Sequence, residues 1–314
     1  MSKKIVIALG GNALQAGSGP ATAEAQLEVV KSTCEYIADI CKEGYEVTLV
    51  HGNGPQVGRI LMATEAAKNV TPAMPFDVCG AMSQGYIGYH LQQSLGHSLK
   101  KKGINKSVVS LVTQIVVDKD DPGFQNPTKP IGMFYSEDEA KKLEAEHGFV
   151  MKEDSGRGYR RVVASPIPQE IVELDVVKKL IGVAIVITCG GGGVPVVTKE
   201  NGELEGVPAV IDKDLAAELL AEELGVDVFV ILTEVEKIAI NFNKSNQKDL
   251  SRMTYAECEK YCDEGQFAPG SMLPKVQAAM KFVKANPNKK AIISSLANGK
   301  DAILGKTGTE IVFE

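Results

Sequence analysis

Lys3-Lys4-Ile5-Val6-Ile7-Ala8-Leu9-Gly10-Gly11-Asn12 decides the fold, because an apolar strand ends there in a glycine pair and an asparagine. A second strand ends in the same way, at Val50-His51-Gly52-Asn53-Gly54-Pro55. Glycine lets backbone N–H groups approach an anion with no Cβ in the way. Pro55 suits the first turn of a helix, whose positive N-terminus would point at the same anion. The two corners therefore predict two backbone cradles for anionic oxygens, which suits an enzyme that transfers phosphate.

The composition of the chain excludes several classes of protein. Its 314 residues, 44% hydrophobic and 24% charged, suffice for roughly two domains' worth of α/β structure. A net charge of −6 argues against nucleic acid as a partner, because phosphate backbones need a basic face. The chain enters a strand at residue 4, with no signal segment, and no apolar run reaches the ~18 residues of a membrane span. We therefore expect a cytoplasmic protein without membrane contact.

The cysteines and histidines do not indicate a metal site. The six cysteines contain no C-x-x-C pair, and the four histidines are scattered at 51, 90, 97 and 147. Zinc needs tighter grouping, and reduced thiols are expected in a cytoplasmic chain.

Strand-like runs alternate with helical stretches along most of the chain, which predicts a mainly parallel sheet with helices on both faces. The predicted strands are 4–9, 46–50, 107–117, 183–189, 227–232 and 290–294. The predicted helices are 22–43, 55–68, 81–102, 137–147, 169–181, 213–225, 254–264 and 272–286.

The segment 118–166 breaks this alternation with turns rich in proline and glycine, so we expect a small inserted subdomain that acts as a lid. A second boundary is predicted near the glycine run 190–193. The two halves are then 1–188, with both anion cradles, and 189–314, with the reaction partner.

The run Gly190-Gly191-Gly192-Gly193 has two interpretations: a flexible loop under phosphates or a metal, or a tight crossing turn. It is not a dinucleotide fingerprint, because Pro195 takes the third glycine position and a strand follows. Gly305-Lys306-Thr307 resembles the end of a Walker A loop, but too few residues follow for its helix. We interpret it as a turn before a last strand.

Three lysines indicate an anion site. Lys213 lies at a predicted helix start, Lys275 lies in the first turn of another helix, and Lys129 lies in a proline-flanked turn of the insertion. A lysine at a helix N-terminus opposes the helix dipole, so its presence suggests that an anion binds there. Asp212 and Asp214 are candidates for helix capping and for Mg²⁺ ligation.

Eight motifs in order, spanning the whole chain, resemble the carbamate kinases of the amino acid kinase fold. They are 5–13 (IVIALGGNA), 51–58 (HGNGPQVG), 81–89 (AMSQGYIGY), 126–132 (NPTKPIG), 152–163 (KEDSGRGYRRVV), 189–197 (CGGGGVPVV), 210–214 (VIDKD) and 267–276 (FAPGSMLPKV).

The resemblance implies a three-layer αβα sandwich, usually a homodimer, that transfers a phosphoryl group reversibly between MgATP and carbamate to give ADP and carbamoyl phosphate. It implies operation toward ATP synthesis in the breakdown of arginine or related ureido compounds. It also implies site residues in four groups. These are substrate binding at Gly10, Gly11, Asn12, Gly52, Asn53 and Gly54; catalysis by Lys129, Lys213 and Lys275; Mg²⁺ at Asp214; and nucleotide binding at Lys213, Thr233, Val235, Ala268, Pro269, Gly270, Met272 and Lys275.

One departure concerns Ala8, since many relatives in the wider superfamily carry a lysine two residues before the first glycine of the pair. Lys129 is the candidate for the missing charge. Two alternatives remain at this stage: another amino acid kinase that phosphorylates a small carboxylate, and a protein that senses nucleotide without turnover.

Overall fold

The structure is a computed structural model that describes residues 3–15, 22–154 and 156–314, without the side chain of Asn12. Its strands are β1 Lys4–Leu9, β2 Glu46–His51, β3 Ser107–Ser110, β4 Gln114–Val117, β5 Lys129–Tyr135, β6 Val150–Glu153, β7 Tyr159–Val163, β8 Pro168–Ile171, β9 Ala184–Ile187, β10 Val194–Thr198, β11 Leu204–Gly206, β12 Val228–Thr233, β13 Ile238–Ile240, β14 Lys248–Leu250, β15 Arg252–Thr254, β16 Lys290–Ser295 and β17 Thr309–Val312. Its α-helices are α1 Ala23–Lys42, α2 Gly54–Ala66, α3 Phe76–Lys101, α4 Glu137–His147, α5 Leu174–Leu180, α6 Lys213–Glu223, α7 Tyr255–Asp263, α8 Met272–Ala285 and α9 Gly299–Ile303.

The main sheet has eight strands in the order β15-β17-β16-β12-β1-β2-β9-β3. Neighbouring strands are parallel except for β16 and β17, so the predicted mainly parallel sheet is confirmed.

Helices cover both faces of this sheet because its side chains alternate between two cores. In β1, Val6 and Ala8 face the core formed with α5, α6, α7 and α8. Ile5, Ile7 and Leu9 face the opposite core, formed with α1, α3 and α9. The expected three-layer αβα sandwich is confirmed.

The single strand predicted over 107–117 was wrong, because the structure has two strands there in two sheets. β3 forms the edge of the main sheet, and β4 joins a second sheet of order β11-β10-β4-β8. Between them the Thr113 N–H donates to the Gln84 side-chain carbonyl (2.8 Å), and the Thr113 hydroxyl lies 2.7 Å from that of Thr188. These buried bonds fix the point where the chain leaves the main sheet.

The helix predicted over 169–181 begins only at Leu174, because β8 pairs antiparallel with β4. The helix predicted from residue 81 already begins at Phe76. Phe76 and Cys79 are buried against α2 and the insertion, and this burial extends the helix toward its N-terminus.

The inserted segment contains a three-stranded antiparallel sheet of order β5-β7-β6, with α4 beside it. It packs on α2 through Ile131 and Val163, which meet Val57 and Leu61. A Cβ at Gly58 would lie 3.0 Å from the Gly132 nitrogen, so the two backbones are in close contact. The role of the segment as a lid stays a prediction.

The four glycines 190–193 form a buried turn after β9, with positive φ at Gly191, Gly192 and Gly193. A Cβ on Gly191 would lie 2.1 Å from Asn53 Nδ2, and one on Gly192 would lie 2.2 Å from the Ile211 carbonyl oxygen. This packing favours the tight crossing turn over a flexible loop. Gly305-Lys306-Thr307 lies in the turn before β17, as predicted.

Replacing Gly192 by alanine should lower the free energy of unfolding by roughly 3 kcal/mol, since a left-handed backbone and a clash with backbone atoms add. Gly202→Ala is the matched control: Gly202 also has positive φ (83°), but open space surrounds its Cβ position. We expect it to cost about 1 kcal/mol. Urea denaturation measures both values, and equal losses would contradict the close packing of the 190–193 turn.

Candidate active site

The glycine loops of the two predicted cradles emerge side by side at the carboxyl ends of neighbouring parallel strands. Leu9 of β1 pairs with His51 of β2 on one side and with Leu232 of β12 on the other. The Gly10 N–H donates to the Leu232 carbonyl (3.0 Å), which ties the first cradle to the end of β12. Ligands of open α/β sheets bind at this edge.

The three predicted lysines converge on two aspartates beside these loops. Lys213 Nζ lies 2.5 Å from Asp214 Oδ1, and Lys275 Nζ lies 2.9 Å from Asp214 Oδ2. Lys129 Nζ, from the first residue of β5, lies 2.7 Å from Asp212 Oδ2. Three separate segments of the chain thus bring three ammonium groups to one place.

The local sequence explains why Asp214 and the lysines are held there. Asp212 caps α6, its Oδ1 accepting the Asp214 N–H (2.9 Å), so the helix begins at Lys213. Lys275 lies in the first turn of α8. The three ammonium groups outnumber the two carboxylates, and the two helix N-termini add positive potential, so the region is positive and suits an anion.

Burial and ion pairing shift the pKa values of Asp214 and Lys213 in this cluster. Asp214 is 2% exposed, and although burial by itself raises its pKa, the ammonium groups of Lys213 and Lys275 hold that pKa at about 2. Burial lowers the pKa of Lys213, against the opposing effect of Asp214. The carboxylate is therefore charged at any physiological pH.

A cleft of about 310 Å³ opens between the first glycine loop and the N-terminus of α8. Eight predicted site residues line it: Gly10, Gly11, Lys213, Thr233, Val235, Gly270, Met272 and Lys275. It is also lined by Glu234, which lies between the predicted Thr233 and Val235, and by four residues that the sequence prediction missed: Ala13, Leu232, Ser271 and Leu296. Leu296 follows β16, the neighbour of β12 in the sheet, so a correct strand order would have found it.

The second cradle lies on the other side of Lys213. A Cβ on Gly52 would lie 3.4 Å from Lys213 Cδ, so the lysine side chain runs between this cradle and the cleft. Asn53 is 9% exposed, and its Nδ2 donates to Ser83 Oγ on α3 (2.8 Å). α2 begins at Gly54, with Pro55 in its first turn as predicted.

His51 supports this cradle as a neutral side chain. It is 1% exposed, and burial lowers its pKa to about 4. At neutral pH its Nδ1–H therefore donates to the Gly52 carbonyl (2.8 Å).

The remaining predicted residues lie around the cleft without lining it. The Ala268 carbonyl accepts the N–H groups of Ser271 and Leu273 (3.1 Å each), so Ala268 and Pro269 shape the turn that presents Gly270. The side chain of Asn12 lies outside the described part of the structure.

Comparison with known proteins identifies the class of this protein. The model of the amino acid kinase family matches residues 3–294. The chain therefore belongs to the amino acid kinase family.

Full-length relatives give the particular member of that family. The carbamate kinase of Clostridium perfringens is 57% identical over 98% of this chain and 99% of its own length. That of Pyrococcus horikoshii is 52% identical over 99% of each chain. The structure of the Giardia lamblia carbamate kinase bound to AMP-PNP superposes with a TM-score of 0.93, at 45% identity, covering 99% of this chain and 98% of that one. Within the amino acid kinases, the chain belongs to the carbamate kinases and is an enzyme.

Among the helices of the described ranges, none combines the length and the apolar character that crossing a membrane requires.

Replacing Asp214 by asparagine should lower the free energy of unfolding by about 3–5 kcal/mol at pH 7, because two largely buried ammonium groups lose their counter-charge. The depressed pKa means that the contribution of Asp214 is present above its ordinary pKa of 3.8 and is lost as the pH falls through about 2. Urea denaturation at pH 7 and pH 3 measures both effects.

The control is Asp301→Asn, which removes an exposed ion pair with Lys306 and should cost less than about 1 kcal/mol. A loss at Asp214 no greater than this control would contradict a buried charge cluster.

Proposed function

We propose that the protein catalyses reversible phosphoryl transfer between ATP and carbamate, giving ADP and carbamoyl phosphate. The observation that carries this proposal is the convergence of Lys129, Lys213 and Lys275 on Asp212 and Asp214, beside two glycine loops. Phosphoryl transfer gains most of its rate from positive charge fixed around the moving group. The names of the full-length relatives and the AMP-PNP bound by the Giardia protein support carbamate and ATP as the substrates.

The geometry suggests where each substrate binds. The nucleotide would occupy the 310 Å³ cleft, with its phosphates toward Gly10 and the N-terminus of α8. Carbamate would bind at the 52–54 cradle. Lys213 contacts both places, so its ammonium group would stay beside the phosphoryl group throughout its transfer.

In this arrangement the reaction would occur where the two predicted halves meet. β1 and β2 of the 1–188 half carry the glycine cradles, and β12, α6 and α8 of the 189–314 half carry the cleft and two of the lysines. The assignment of carbamate to the first half and nucleotide to the second remains a proposal.

The competing functions are less well supported. The full-length relatives are carbamate kinases, which favours carbamate over a larger carboxylate. A protein that only senses nucleotide would not need two lysines on one buried carboxylate beside the phosphate position.

The side chains of the described residues provide few ligands for Mg²⁺. Within residues 3–15, 22–154 and 156–314, no three His, Cys, Asp or Glu side chains cluster as a metal site would require. Both oxygens of Asp214 accept from lysines, and those of Asp212 accept from Lys129 and from the Asp214 N–H. Asp214 as a direct magnesium ligand stays a prediction that this geometry does not favour. We propose instead that Mg²⁺ binds mainly through phosphate oxygens and water, and neutralises phosphate charge there.

Three finer predictions remain proposals. Operation toward ATP synthesis and a cytoplasmic location come from the sequence and its resemblance. For a homodimer, α3 offers a suitable surface, because Val78, Met82 and Tyr89 are exposed at helical spacing on it (37%, 45% and 58%).

The ion pair of Lys129 bears on the proposed lid function of 118–166. A lid of this kind would deliver Lys129 to the first cradle when ligand binds. In the structure, Lys129 already pairs with Asp212, two residues from Asp214. Delivery to a ligand would therefore exchange this ion pair for one with the phosphoryl group.

Purified protein mixed with ADP, Mg²⁺ and carbamoyl phosphate should produce ATP, measured with luciferase. Lys213→Ala and Lys275→Ala should each lower kcat by roughly 10²–10³, with a smaller change in KM for ADP, since their charge matters most in the transition state. Lys284→Ala, an exposed lysine of α8, is the matched control and should leave kcat unchanged. Absence of ATP above an enzyme-free blank would refute the proposed function.

Lys129→Ala should lower kcat on the order of 10² while ADP affinity and thermal stability survive, because Lys129 contributes charge from outside the cleft. Lys142→Ala, an exposed lysine of α4 in the same insertion, serves as its control. Limited proteolysis within 118–166 should slow when ADP and a carbamoyl phosphate mimic are present together. Full activity of Lys129→Ala, or equal proteolysis with and without ligands, would exclude the lid.

A further inference from the structure

A second buried carboxylate lies in the interface between the two helices that carry the cleft lysines. Glu218 lies on α6, one turn after Asp214, and is 0% exposed. Its Oε2 accepts from Lys281 Nζ of α8 (2.6 Å), whereas its buried Oε1 accepts no hydrogen bond from the described residues. Lys281 itself is about half-exposed.

Stability alone does not explain this pair. Removing a carboxylate from water costs several kcal/mol, and apolar residues of similar size usually serve a helix interface at least as well. The surrounding α6 residues Ala217 and Leu220, and Ala278 and Phe282 of α8, form such an apolar interface. A charged side chain with one unsatisfied oxygen therefore requires another reason.

The positions of the two ion pairs suggest that reason. α6 and α8 are joined first by Asp214–Lys275 at their N-termini and then by Glu218–Lys281 further along, in the same order on both helices. The helices therefore lie side by side and run in the same direction, with roughly 6 Å between the two acidic residues along α6. A rotation or slide of α8 that moved Lys275 would have to disturb the second pair as well.

We propose that the Glu218–Lys281 ion pair is a positioning element of the active site: it fixes how α8 lies on α6 and so where Lys275 stands relative to Lys213 and Asp214. The inference builds on the proposed function, since Lys275 would contact the phosphates. Glu218 acts only through the helix packing and touches no substrate.

The charged groups around Glu218 influence its pKa, so the proposed positioning role depends on pH. α8, β1, β2, β8, β12 and the 190–193 turn pack against α6. Of the charged groups on these elements and on α6, Lys281 and Glu222 shift the pKa of Glu218. Lys178 of α5 pairs with Glu223 instead. Burial raises the pKa of Glu218 to about 7, with Lys281 opposing and Glu222 adding to the rise.

The raised pKa of Glu218 determines how the stability of the protein changes with pH. Because the folded pKa lies above the ordinary value of 4.5, ionisation of Glu218 reduces stability as the pH rises from about 4.5 to about 7. Above pH 7 the carboxylate is charged and holds Lys281. Below pH 7 it is neutral, and its O–H can donate a hydrogen bond to Glu222. The positioning effect should therefore strengthen as the pH rises through 7.

The test uses Glu218→Gln and Lys281→Gln in the full chain, assayed from pH 5.5 to 8.5 with ADP, Mg²⁺ and carbamoyl phosphate. At pH 8 we expect each to lower kcat on the order of tenfold, the scale of a small displacement of a catalytic group, with KM for ADP changed less than twofold. We expect the wild-type kcat to rise near pH 7 and this rise to be absent in Glu218→Gln. Its melting temperature at pH 8 should equal or exceed that of the wild type, because a buried charge is gone.

Lys281→Gln should instead lower the melting temperature at pH 8, since Glu218 loses its counter-charge. Should Glu218→Gln fail to fold, Lys281→Gln and the charge-preserving Lys281→Arg carry the test, with Lys281→Arg expected to retain kcat. Glu223→Gln is the matched control, because Glu223 lies on the same helix, is half-exposed and pairs with Lys178 away from α8.

A kcat within twofold of wild type at all pH values for the variants that fold, or the same loss in Glu223→Gln, would overturn the proposal. Crystal structures of the wild type and Glu218→Gln at pH 8 separate it from the proposed function. A change of about 1 Å or more in the distance from Lys275 Nζ to Asp214 Oδ2 supports positioning even if the wild type makes no ATP, and an unchanged distance refutes it.

Discussion

The buried carboxylate of Asp214, held between the ammonium groups of Lys213 and Lys275, is the interaction on which the site depends. Two ammonium groups this close repel each other, and the N-termini of α6 and α8 add further positive potential. A single negative charge between them makes the arrangement tolerable, while an excess of positive charge remains for a ligand. The capping of α6 by Asp212, the start of α8 at Met272 and the packing of the two helices all serve to hold this one carboxylate in place.

The strand order brings the two glycine loops next to the charged cluster of Lys213, Lys275 and Asp214. Because β1 lies between β2 and β12, both glycine loops and the Thr233–Val235 segment emerge at one edge of the sheet, next to Asp214. The buried 190–193 turn packs against Asn53 and Ile211, and so connects the second cradle to the residues just before α6. Lys213 and the two glycine loops, which come from distant parts of the sequence, thereby share one support.

Local signals in the sequence were sufficient for most strands of the main sheet, for most of the helices and for eight of the residues that line the cleft. Glycine pairs after strands, Asp212 as a cap and lysines at helix starts each have a short-range physical cause, and the structure brings these residues together. The errors concern long-range pairing. The pairing of β3 with β9 and of β4 with β10 reveals that 107–117 changes sheets, and the pairing of β8 with β4 shows that 169–181 begins as a strand. Likewise, nothing near Leu296 indicates that it lines the cleft, and the inward carboxylate of Glu218 looks in the sequence like any charge on a helix.

The parallel course of α6 and α8 has a consequence for the energetics of turnover. Charged groups that are fixed by helix packing need no reorientation when substrate binds. The free energy needed to hold like charges together is therefore supplied during folding and not in every catalytic cycle. A site of this kind attracts many small polyanions to a similar extent. Discrimination among them must then come from steric fit, and Gly52, whose Cβ position lies 3.4 Å from Lys213 Cδ, leaves room for a ligand beside that lysine.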